Sequence, residues 1–64
     1  MVIEILNWST NYLKDHQIEN PRLNAELLLA HSLNLSREGL YVRLNSKIKK
    51  GEKETLERLI KRRI

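Results

Sequence analysis

Two histidines, a serine beside one of them, a carboxylate set among leucines and a run of cations are the residues of this chain with a claim to chemistry. His31 and Ser32 are adjacent, but neighbours on a helix point in different directions, and no third group stands ready to orient the base that a nucleophilic serine needs. Neither His16 nor His31 has the i,i+4 partner of a helical zinc pair. There is no cysteine, so a disulfide and a thiolate metal site are both excluded. Gly39 and Gly51, the only glycines, are too far apart for a phosphate-cradling loop. Glu26 lies within a leucine-rich stretch and is expected to be partly buried. Pairing with Arg22, one helical turn earlier, or with an arginine of another helix accounts for it better than acid–base work. A chain of 64 residues also has little room for a deep, dry ligand pocket. No catalytic, cofactor-binding or metal-ligating residue is assigned.

The cations are unevenly placed. The chain carries a formal net charge of +4, yet residues 47–64 hold eight Lys or Arg against three Glu. Such a tail can attract an acidic protein face or nucleic acid. It can equally be a solvated helix whose cations suit its own C-terminal dipole. It has no aromatic residue on which a base could stack, as binders of single strands require. The absence of cysteine fits a cytoplasmic setting. No apolar run approaches the roughly 18 residues that span a bilayer, and Met1-Val2-Ile3-Glu4 lacks the basic start of a signal peptide.

The elements that would carry these residues are helices. Few glycines, one proline and few β-branched residues argue against an all-β fold. The expected architecture is all-α, a small bundle of four to five helices in one domain spanning 1–64. Val2, Leu6, Ser9 and Leu13 recur at helical spacing and predict a helix from Val2 to Asp15. Trp8 and Tyr12 share a face of it and read as the edge of the core. After a connection from His16 to Asn20, with Ile18 as an apolar plug, Asn20-Pro21 marks a helix start, the Asn capping and the Pro pre-set for the first position. That helix runs to Leu33 with Leu23, Leu27, Leu28 and Ala30 as its apolar side, widened by Leu29, and so should be central. Asn34 suits a left-handed C-cap. Ser36 caps a short third helix reaching Leu44, with Leu40, Tyr41 and Leu44 as its buried stripe. Asn45 to Lys49 is a loop with Ile48 tucked inward. The last helix runs from Lys50 to the end on Leu56, Leu59 and Ile60, with Glu54–Arg58 and Glu57–Lys61 as i,i+4 pairs. Lys49, Lys50 and Gly51 make a poor start for it.

The stretch Asn20-Pro21-Arg22-Leu23-Asn24-Ala25-Glu26-Leu27-Leu28-Leu29-Ala30-His31 resembles the "PRLDAELLLAH" segment of the N-terminal domain of release factor glutamine methyltransferases, the HemK/PrmC family. Leu35-Ser36-Arg37 resembles that family's "LSR", Leu40-Tyr41-Val42-Arg43-Leu44 its "LYLRL", and Leu59-Ile60-Lys61-Arg62-Arg63 its "LLxRR". The likeness covers residues 18–64 well and residues 1–17 loosely, through Leu6, Trp8 and Leu13. Asn24 departs from the family's Asp, which removes any salt link that Asp would make.

The resemblance implies a helical domain that precedes a Rossmann-like catalytic domain. That second domain would bind S-adenosylmethionine and methylate the side-chain amide of the GGQ glutamine in class-1 peptide release factors. The Asn-Pro-Pro-Tyr motif and the glycine-rich cofactor loop of that domain do not occur here, and the family's continuing "GEPxxYI" would follow Ile64. The chain is therefore expected to be the N-terminal domain alone, helping to engage the release factor. Its exposed contacts are expected among Arg22, Arg37, Arg43, Lys61, Arg62 and Arg63, with Tyr41 if its ring edge is outward. Two rivals stand beside this reading. One is a nucleic-acid-binding helical module, disfavoured because the third helix offers few polar side chains to base edges. The other is a structural or dimerisation domain, which an exposed apolar patch would favour.

Overall fold

A computed structural model describes residues 1–64. It contains four helices and no strand: α1 (Val2–Asp15), α2 (Pro21–Leu33), α3 (Arg37–Val42) and α4 (Lys50–Arg63). The fold measures 28 × 20 × 17 Å. Helices α1, α3 and α4 each pack against α2, which makes α2 the central helix.

The core is small. Val2, Leu6 and Leu13 enter from α1, Ala25, Leu29 and Ala30 from α2, Leu40 from α3, and Leu56 and Ile60 from α4. Ser9 completes the buried stripe of α1, as its spacing predicts. Ile18 and Ile48 pack on the core from the connections, so the two loop plugs also lie where expected.

The apolar side of α2 differs from its sequence expectation. Its buried residues are Ala25, Glu26, Leu29 and Ala30, whereas Leu23 and Leu27 are exposed. The helix is apolar almost all round, so periodicity gives no direction. The neighbours settle on the side where two alanines let backbones approach closely. In α3, Leu40 is buried but Tyr41 is half exposed, and Leu44 lies beyond the helix end, partly buried in the turn that follows.

The helix ends show how each element is closed. Asn20 adopts a left-handed conformation (φ 51°, ψ 55°) and makes no side-chain cap. The turn is instead tied by Asn24, whose Nδ2 donates to the carbonyls of Glu19 (2.8 Å) and Asn20 (3.1 Å). Asn34 is left-handed at the other end, and the Leu35 N–H donates to the Ala30 carbonyl at 2.8 Å, a Schellman closure. Ser36 Oγ accepts from the Gly39 N–H at 3.1 Å, the cap that its sequence position predicts. The weak start of α4 is rescued by Glu52, whose carboxylate accepts from the Lys49 N–H at 2.9 Å. The first amides of α1 are satisfied from far along the chain: Val2 N–H donates to Ser46 O and Ile3 N–H to Leu44 O, both at 2.9 Å.

Candidate functional site

The seven residues singled out from the sequence fall into two groups. The first surrounds Glu26, where α2 meets α3. Arg37 follows the Ser36 cap and Tyr41 lies one turn on, so both face back to α2. Glu26 is 4% exposed. Its Oε1 accepts from Arg37 Nη2 (2.9 Å), Arg37 Nε (3.3 Å) and the Tyr41 hydroxyl (2.8 Å). Its Oε2 accepts from Arg22 Nε at 3.1 Å, and Arg22 Nη1 reaches on to Asn7 Oδ1 on α1 at 3.3 Å.

A buried carboxylate is costly unless such donors surround it. Burial works against the charged form of Glu26. The hydrogen bonds from Tyr41, Arg37 and Arg22 outweigh it and hold the carboxyl below the usual range. In return Glu26 and Tyr41 hold the Arg37 guanidinium above its ordinary value. Both pairings weighed from the sequence, Arg22 and an arginine from another helix, are present together. Arg22 and Arg37 are thus engaged inside the fold while remaining 48% and 44% exposed.

The second group lies on α4. Lys61 and Arg62 are exposed. Arg63 is exposed too, and its Nε donates to Asn24 Oδ1 at 3.2 Å. Asn24 therefore serves two partners at once, closing the turn with its amide N–H groups and accepting from Arg63 with its carbonyl. Arg43 stands by itself, exposed in the turn after α3. The chain has three ion pairs, Met1 with Glu4, Arg22 with Glu26 and Arg37 with Glu26. The expected pairs Glu54–Arg58 and Glu57–Lys61 do not form, and Arg58 donates instead to Thr55 Oγ1. An exposed i,i+4 pair is worth only a few tenths of a kcal/mol, too little to hold two long side chains together against water. The cations of α4 therefore face solvent without an ion-pair partner in the fold.

The sequence reading did not find a groove between α1 and α4. Both helices lie on α2, and the space between them forms two adjoining hollows of about 290 and 240 Å³ that share Trp8 and Glu57. Trp8 is 47% exposed. Its ring stacks on Tyr12 with centroids 5.1 Å apart, and Tyr12 packs on His16 at 4.6 Å. Facing them from α4 are Lys53, Leu56, Ile60 and Lys61. The available signal was Trp8, Tyr12 and His16 at four-residue spacing, a stripe beside the one formed by Val2, Leu6, Ser9 and Leu13.

The other chemically able residues are occupied locally. His16 packs on Tyr12, and Ser32 Oγ donates to the Leu29 carbonyl at 2.8 Å. No cluster of His, Cys, Asp and Glu could hold a metal ion, and no helix is long and apolar enough to cross a membrane.

Comparison with known proteins gives a consistent result. A family model described as the PrmC N-terminal domain matches residues 4–64. A release factor glutamine methyltransferase of Geobacter sulfurreducens is 37% identical over 60 residues, which is 94% of this chain and 21% of that protein. One of Leptospira interrogans is 39% identical over 62 residues, covering 95% of this chain and 22% of that protein. A bifunctional methyltransferase of Rickettsia typhi is 36% identical over 61 residues, 95% of this chain and 12% of that protein. The chain spans about a fifth of the length of the first curated relatives it matches. No solved structure matches.

Proposed function

The chain belongs to the PrmC N-terminal domain family, and from that premise we propose that it is the release-factor-recognition domain of a protein-(glutamine-N5) methyltransferase. The substrate of the whole protein, in this reading, is the GGQ glutamine of a class-1 peptide release factor, and the methyl donor is S-adenosylmethionine. The residues of this chain do not fit that donor: Gly39 and Gly51 lie within helices, and neither lines the α1–α4 groove. The chemistry is accordingly assigned to the part of the protein beyond this chain, and docking to this part.

The observation that supports docking is the uncompensated positive surface. None of the basic residues of α4 enters an ion pair, and neither does Arg43, exposed on the turn after α3. Charge left unpaired at a surface steers an oppositely charged partner and orients it on encounter. Methyl transfer to one side chain of a large protein needs that side chain held near the donor, and contacts remote from the reacting atoms can supply the positioning. A helical domain attached to the catalytic unit adds contact area and raises the local concentration of substrate.

The direct assay is release-factor methylation by the full-length protein carrying Arg43→Glu, Lys61→Glu and Arg62→Glu together. These residues are exposed and outside the Glu26 network, so the fold should survive. The expected outcome is a raised KM for the release factor with kcat nearly unchanged. Unchanged KM and kcat would remove these residues from the reading.

A second reading rests on Leu23 and Leu27, both exposed on the outer side of α2. They suit a purely structural domain that packs on the rest of its protein. Under it, Leu23→Ser with Leu27→Ser would lower the melting temperature of the full-length protein by more than that of this chain alone, where only helix propensity and partial burial are lost.

A further inference from the structure

We propose that the groove between α1 and α4 seats a segment of an acidic protein partner, with one apolar side chain inserted against Trp8 and carboxylates reaching Lys53 and Lys61. The inference rests on the docking reading and names the face and the chemistry of the contact.

Ile5, Trp8 and Leu56 line a hollow of about 290 Å³, room for one large apolar side chain and part of its neighbours. The Trp8 ring is already fixed by its stack on Tyr12. A pre-ordered aromatic loses little freedom on binding and so makes an efficient anchor. Its outer half faces solvent, which leaves apolar area to be covered.

The rim gives the charge of the occupant. Lys53 and Lys61 line opposite ends of the groove on α4, and neither has an ion-pair partner, whereas Glu4, which lines the same hollow as Lys53, is already paired with the Met1 ammonium at 2.7 Å. They lie eight residues apart, so their Cα atoms are separated by roughly 12 Å along the axis at 1.5 Å per residue. Two carboxylates about two helical turns apart, or about four residues apart in an extended strand, would meet both lysines.

Glu57 decides the class of partner. It sits one turn from each lysine, lines both hollows and has no ion-pair partner. A phosphate backbone laid along the groove would meet this carboxylate and be repelled. A polypeptide can offer it an N–H or a hydroxyl. A second copy of the chain is disfavoured as occupant by like charge, since each copy carries +4.

Trp8 is the only tryptophan, so its fluorescence reports on the groove directly. The chain is titrated with a purified class-1 release factor at low and moderate salt, and separately with a single-stranded oligonucleotide. The comparison set is Lys53→Glu with Lys61→Glu in the groove, and Lys47→Glu with Lys50→Glu outside it, which makes the same change of net charge. The expected result is a blue shift of Trp8 emission on adding release factor. Affinity should fall about tenfold or more, some 1.4 kcal/mol, in the groove pair and by much less in the outer pair.

Binding with unshifted Trp8 emission and equal losses in both pairs would overturn the groove and leave the docking reading standing. No binding of release factor at either salt would overturn both. An oligonucleotide that shifts Trp8 and competes with the release factor would overturn the peptide assignment in favour of nucleic acid.

Discussion

Replacing Glu26 by Gln tests the link between the buried carboxylate and the stability of the fold. The shape is kept and the charge is removed. With the amide carbonyl turned to Arg37 and Tyr41, the amide N–H groups face Arg22 Nε, which now donates at 3.1 Å to Oε2. One charge-assisted bond is lost, those from Arg37 keep only the donor's charge, and that from the Tyr41 hydroxyl becomes an ordinary one. A bond to a charged group contributes roughly 1.5–3 kcal/mol and an ordinary one about 1. Breaking a fully buried ion pair costs about 3–5 kcal/mol. Both arginines are about half exposed and can return to water, so the expected cost is lower, about 2 kcal/mol. For a domain of this size each kcal/mol moves the melting temperature by about 4–8 °C, which gives a fall of about 8–16 °C at pH 7, read by circular dichroism.

The pH dependence provides the second readout. The folded Glu26 carboxyl is held below the usual value, so its contribution is present above the unfolded pKa, about 4.3. It is lost as pH falls through the folded pKa. The gap between the native chain and Glu26→Gln should therefore close as pH drops below about 4. A melting temperature within 3 °C or so of the native value at pH 7, with no convergence in acid, would refute the reasoning.

Three further outcomes follow from single positions. Ser9 is fully buried and its hydroxyl has no hydrogen-bond partner, so Ser9→Ala should stabilise by about 1 kcal/mol in urea unfolding, combining relief of an orphaned polar group with better helix propensity. Gly51 lies in the first turn of α4, and a Cβ added there meets nothing within 4 Å beyond its chain neighbours and its own helix backbone; Gly51→Ala should raise stability by about 0.5–1 kcal/mol without shifting amide resonances outside that turn. Leu29 is fully buried on the central helix, and Leu29→Ala should cost about 3 kcal/mol. Total stability for a chain this short is roughly 3–10 kcal/mol, so the thermal transition should broaden or move close to room temperature.

What the sequence revealed depended on how local the cause was. The limits of α1 and α2, the left-handed Asn34 and the Ser36 cap follow from residues within a turn of the feature, and the structure has them all. The family is also legible, because the segment from Asn20 to His31 is distinctive. Features that depend on which helix lies opposite were hidden. Leu23 and Leu27 look as apolar as Leu29, and only packing chooses between them. Tyr41 read as core because the ring is apolar, yet its hydroxyl is drawn to Glu26. Asn20 fits a capping pattern, but its side chain makes no cap, and Asn24 ties the turn instead. The groove arises from two helices far apart in sequence, its walls at Trp8 and Leu56 lying 48 residues from each other, and no local window contains both walls.

The closure of α1 by the turn before α4 has a consequence for exchange with solvent. The opening amides of a helix have no partner within it and ordinarily swap their protons for deuterium almost at once. Those of Val2 and Ile3 are bonded to carbonyls more than 40 residues away, so they can open only when the two distant parts of the chain separate. Their exchange should be slow and should track unfolding of the entire helical fold, making two residues of the first turn of α1 into sentinels for its integrity.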